Sequence, residues 1–77
     1  GRTDESPFQS LSERELQIML MITKGEKAQS IAERLNLSSK TVNSYRYRMF
    51  EKLNVSGDVE LTHLAIRYKM IDIDVSY

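Results

Sequence analysis

The sequence predicts an all-α fold, a bundle of four short helices. Apolar residues recur at helical spacing in four separate stretches, and serine, glycine and asparagine residues suited to starting or closing helices stand between them. The connections that remain are short, so a helical bundle is the economical way to bury one face of each stretch.

The first nine residues are polar, lack a period and read as a linker, although Phe8 is able to dock on the body. Helix 1 is expected over about 13–24. Ser12 is its N-cap, and Glu15, three residues on, completes a capping box. Leu11 precedes the cap and can staple onto Leu16, and Met19, Leu20 and Thr23 continue the face. Gly25 suits the left-handed position that closes a helix. Helix 2 is expected over about 28–36, with Ile31, Ala32 and Leu35 on one face and Asn36 as its left-handed closing residue. Ser38 or Ser39 then caps helix 3, which runs to Leu53. Helices 2 and 3, joined by a tight turn, form a helix-turn-helix. Helix 4 is expected from Gly57-Asp58, capped by Ser56 or Asp58, to about Lys69. Residues 71–77 alternate apolar and polar, but a lone strand has no partner, so they read as a frayed end. The domain therefore spans 10–71, between a linker at 1–9 and a tail at 72–77.

Composition excludes several function classes. A chain of 77 residues holds one domain with a modest core. Its longest unbroken apolar run, Ile18 to Ile22, is far short of the ~18 residues of a membrane span. No signal segment opens the chain and cysteine is absent, which together point to the cytoplasm. Without cysteine there is no disulfide, thiolate site or thiol nucleophile, and the single histidine, His63, excludes a multi-histidine metal site. Glu13 and Glu15 lie two apart on a capped helix and do not converge. The methionines recur at helical spacing and read as core filler. No nucleophile–base pair or Gly-rich phosphate loop is present, so neither catalysis nor a cofactor is expected.

Net charge is zero, yet its distribution is uneven. Residues 36–54 carry Lys40, Arg46, Arg48 and Lys52 against Glu51 alone, a net of +3. The segments before and after it are net −1 and −2. A local basic stripe can bind phosphate even on a neutral chain. On a helical wheel, Tyr45, Met49, Phe50 and Leu53 fall within about 80° of Val42 and form the buried side of helix 3. Lys40, Ser44, Tyr47 and Glu51 fall opposite, with Asn43 and Arg48 at the edges, while Arg46 falls on the buried side and must snorkel to the rim. Asn, Ser, Lys and Arg suit base edges and phosphates of a major groove, and Thr41 in the first turn can donate to a phosphate. A polar outer face is also what any solvated amphipathic helix shows.

These residues carry a resemblance. Leu-Ser-Glu-Arg-Glu at 11–15, Gly25, Ile31-Ala32 with Leu35, Leu37-Ser38, Thr41-Val42, Lys52-Leu53-Asn54-Val55, and Glu60-Leu61 with Ala65 resemble, in order and spacing, the LuxR/FixJ/NarL-type helix-turn-helix family. The match runs from Leu11 to about Ile71. The run Lys-Thr-Val-Asn-Ser-Tyr-Arg-Tyr-Arg from Lys40, and Gly-Asp-Val-Glu-Leu-Thr-His-Leu-Ala-Ile-Arg from Gly57, resemble the GacA/UvrY group of response regulators. The resemblance implies a double-stranded DNA reader, the output domain of a two-component transcription regulator. DNA contacts are then expected from Lys40, Thr41, Asn43, Ser44, Arg46, Tyr47 and Arg48. It also implies a receiver domain ahead of this one, RNA polymerase as a partner, and a symmetric dimer through the fourth helix on an inverted-repeat operator. Tyr45 departs from the family, where many members have His, and Asp58 departs where many have a cation.

Helix 4 has apolar residues on two sides. Leu61, Leu64, Ala65 and Tyr68 face the core, whereas Val59, Ile66 and Met70, flanked by Thr62 and His63, form an outward stripe suited to pairing. Alternatively the tail, through Ile71, Ile73 or Val75, folds back over that stripe. A promoter-reading module like the end of a sigma factor and a pure protein-interaction module remain alternatives. Polymerase binding by the isolated domain marks the first, and absence of a phosphate-type salt slope marks the second.

Overall fold

A computed structural model of the chain describes residues 6–72, and its regular elements are all helical. A 3-10 turn at Pro7–Ser10 precedes α1 (Glu13–Thr23), α2 (Ala28–Leu35), α3 (Ser39–Leu53) and α4 (Asp58–Arg67). Residues 73–77, where the frayed tail was expected, lie outside the described residues.

Helix starts follow local chemistry. The Ser12 hydroxyl accepts from the Glu15 N–H at 3.1 Å while the Glu15 carboxylate accepts from the Ser12 N–H at 2.9 Å, a complete capping box. Ser38, not Ser39, caps α3, accepting from the Thr41 N–H at 3.0 Å. Neither expected residue caps α4: Gly57 occupies the cap position and Asp58 is already the first helical residue. The Glu60 carboxylate instead reaches back to the Ser56 N–H at 2.7 Å, and that bond holds its carboxyl below the ordinary value.

The four helices end alike. Each is closed by a residue at positive φ, namely Gly25, Asn36, Asn54 and Lys69. In each the following N–H bonds back five residues, as from Leu37 to Ala32 and from Met70 to Ala65, both at 2.8 Å. Leu37, Val55 and Met70, the residues just past three of these ends, pack against the core. This corrects the expected place of Met70. Helix α4 stops at Arg67, so the wheel no longer applies, and the reversed backbone turns Met70 inward rather than along the outer stripe.

Helix α3 packs against both α1 and α2, and α4 packs on α1. Ile18, Met19, Ile31, Val42, Met49, Leu61 and Ala65 at their junction are fully buried, each large side chain contributing roughly 1.5–3 kcal/mol of transfer free energy. The linker reading of residues 7–9 also needs correcting. Ser6 caps the 3-10 turn, and Phe8 enters the core, edge-on to Tyr68 with ring centroids 6.2 Å apart. A single aromatic in a polar stretch has no period to betray it.

Candidate nucleic-acid interface

The turn between α2 and α3 consists of Asn36, Leu37 and Ser38. Asn36 at φ 63° reverses the chain, Leu37 anchors the turn to the core, and Ser38 starts α3. The turn therefore fixes α3 against α2 by its buried side, through Val42, Met49, Phe50 and Leu53. Tyr45 is half-buried against the same core.

The opposite side of α3 lies open. Lys40, Thr41, Ser44, Tyr47 and Arg48 are all exposed, and Tyr47 is 63% exposed despite an edge-on contact with Phe50. Arg48 lies with its guanidinium carbon 5.6 Å from the centre of the Tyr45 ring, which gives its charge a defined direction. At the start of the helix the Ser38 hydroxyl donates to Thr41 Oγ1 at 2.9 Å, leaving the Thr41 proton free to point outward.

Two of the expected contacts sit differently. Asn43 and Arg46 are half-buried and bonded to each other, the Arg46 guanidinium donating to Asn43 Oδ1 at 2.8 Å. The same guanidinium pairs with Asp58 at the start of α4, 2.9 Å away, and lies over the Phe50 ring at 5.5 Å. Arg46 does snorkel to the rim, but its rim partner is a carboxylate of its own chain. Its Nε is buried and, among the described residues, is the one such side-chain polar atom without a partner.

Lys52 also leaves the basic stripe. It pairs with the buried Glu15 carboxylate at 2.8 Å and donates to the Ser10 carbonyl at 3.2 Å, bolting α3 to α1. Burial alone raises the Glu15 carboxyl pKa, but the Lys52 ammonium and the Ser12 N–H and hydroxyl outweigh it and hold the carboxyl below its ordinary value. Of the four cations counted in 36–54, Lys40 and Arg48 remain exposed without a protein acid among the described residues. The capping box announced Glu15, but no local signal announces a partner 37 residues away.

On α4, Val59 is 69% exposed and His63 is exposed, while Thr62 and Ile66 are half-buried. Val59, Thr62 and His63 line a shallow depression together with Asp58. The Thr62 hydroxyl donates to the Asp58 carbonyl at 2.9 Å, so it contributes mainly its methyl group to that surface. Among the described residues no helix is long and apolar enough to cross a membrane.

Comparison with known proteins converges on this geometry. The profile of the family described as "Bacterial regulatory proteins, luxR family" matches residues 9–65. The response regulator UvrY of Escherichia coli K12 is 81% identical over 64 residues, which covers 83% of this chain and 29% of that protein. The response regulators GacA of Pseudomonas protegens and Pseudomonas aeruginosa are 60% and 62% identical over 91% and 88% of this chain, and 33% and 32% of theirs. The chain thus spans under a third of the length of these relatives. Family profile, all-helical architecture and the braced, open-faced α3 agree: the chain belongs to the luxR family of bacterial regulatory proteins, as a helix-turn-helix DNA-binding domain.

Proposed function

We propose that this domain is the output module of a two-component response regulator and controls transcription by placing α3 in the major groove of double-stranded DNA. The observation that carries this reading is the outer face of α3, where Lys40, Thr41, Ser44, Tyr47 and Arg48 are exposed together on a helix whose other side is locked into the core. Lys40, Thr41 and Arg48 hold phosphates, and Asn43, Ser44 and Tyr47 meet base edges. Arg46 adds positive potential from the rim rather than a free hook, since it is already paired with Asp58. The domain's work is binding, not catalysis.

The lengths of the UvrY and GacA proteins, both response regulators, support a receiver domain elsewhere in the full protein. RNA polymerase is the partner that transcriptional control requires, and the cytoplasm is where both meet. Two copies pair through Val59, Thr62, His63 and Ile66 of α4, setting two recognition helices on the half-sites of an inverted repeat. Support for pairing is the exposed Val59 beside a shallow apolar depression.

The groove reading is tested by affinity for duplex DNA over a salt series. Binding is expected to weaken steeply with salt, and Arg48→Ala to weaken all sequences alike and flatten the slope by about one unit. A wild-type chain with no salt slope binds no phosphates through α3 and is a protein-interaction module instead.

A further inference from the structure

Asp58, Arg46 and Asn43 form a continuous chain from the first turn of α4 to the second turn of α3. Chemistry settles how the Asn43 amide is turned. A guanidinium only donates, so the atom facing it is the carbonyl oxygen, and the amino group faces away. Arg46 is itself held by contacts on the side away from Asn43. Its guanidinium rests on the Phe50 ring at 5.5 Å, its far nitrogen holds Asp58 at 2.9 Å, and its Nε is buried.

We propose that Asp58 and Arg46 are positioning residues that lock Asn43 as a hydrogen-bond donor, so that at the base it meets the domain selects guanine over adenine. The inference rests on the reading above, in which α3 enters the major groove with Asn43 among its base contacts. A free asparagine suits adenine, donating to N7 and accepting from the N6 amino group. Asn43 has its oxygen held towards Arg46, so the edge it offers is the amino group. Guanine answers with N7 and O6, both acceptors, whereas the adenine amino group is left without one. Base choice on α3 is thereby set from α4, by a carboxylate that touches no base.

The test uses the 77-residue chain and a duplex carrying its preferred site, with every base pair replaced in turn and affinities compared. Asn43→Ala identifies the position, as the one where discrimination collapses. There the wild type is expected to prefer guanine over adenine by about fivefold or more. Arg46→Met, which keeps the aliphatic stem on Phe50 but removes the donor, is expected to shift that one position towards adenine. Asp58→Ala is expected to narrow the same preference while leaving other positions unchanged. Thermal melting of each variant separates these effects from loss of fold, and a purely structural role would lower affinity at all positions equally. Retention of the guanine preference in both Arg46→Met and Asp58→Ala overturns the inference, as does an adenine preference in the wild type or an Asn43→Ala variant that alters no position. A wild type that prefers no sequence at all is a separate failure, that of the groove reading, and the inference falls with it.

Discussion

Glu15 does two jobs with one carboxylate, closing the start of α1 and holding Lys52 of α3. Removing the lysine leaves a buried charge with only the Ser12 groups, and because Lys52 itself is about a third exposed the expected loss is moderate. Lys52→Met is expected to lower stability by about 2 kcal/mol, read as a fall in the urea midpoint. The acid response follows from the same pair. Its folded-state pKa lies below the ordinary 4.5, so on acidification the unfolded chain takes up this proton first. The stabilisation is complete above that pH and drains away as pH falls beneath it. Urea midpoints are expected to decline below pH 4.5, and the decline to be shallower in Glu15→Gln; equal declines would place the acid sensitivity elsewhere. At this scale the sequence was only partly legible. Ser12 and Glu15 stand three apart and announce each other, whereas Glu15–Lys52 and Arg46–Asp58 join residues distant in the chain. Charge counting therefore overstated the basic stripe by treating Arg46 and Lys52 as free.

Helix ends were legible where the residue type matches the backbone it must adopt. Gly25 and Asn36 read directly as left-handed closers because glycine has no Cβ and asparagine tolerates that region. Lys69 did not, since nothing in a lysine favours φ 61°. The wheel consequently ran α4 about two residues too far and set Met70 on the wrong side. The strain at this position makes a prediction. Lys69→Gly removes the left-handed penalty but gains unfolded-state freedom, a net stabilisation of roughly 0.5–1 kcal/mol. The melting temperature is expected to rise by a few degrees. A fall would mean that the lysine side chain makes a contact worth more than its backbone strain. The four helix faces were legible because period alone sorts buried from exposed positions. The 3-10 turn was not, because Phe8 is one apolar residue among polar ones and its partner Tyr68 lies at the other end of the chain.

As a whole, the molecule braces α3 from behind with α1 and α2, and a further helix, α4, is tied to it through Asp58 and Arg46. The proposed second copy meets the outward side of α4, where Val59 is exposed. Val59→Glu puts a charge in the middle of that surface, away from the core. It is expected to weaken binding to a duplex with two half-sites by tenfold or more, on the order of 1.4 kcal/mol, while leaving binding to a single half-site unchanged. Equal binding to both duplexes before and after substitution would remove α4 from the interface.

The most direct test of the account is selection of the chain against a random duplex DNA library, with the affinity of the enriched site then followed across salt concentrations. The expected result is an inverted repeat bound with a steep salt slope. An unenriched library, or an affinity indifferent to salt, would contradict it.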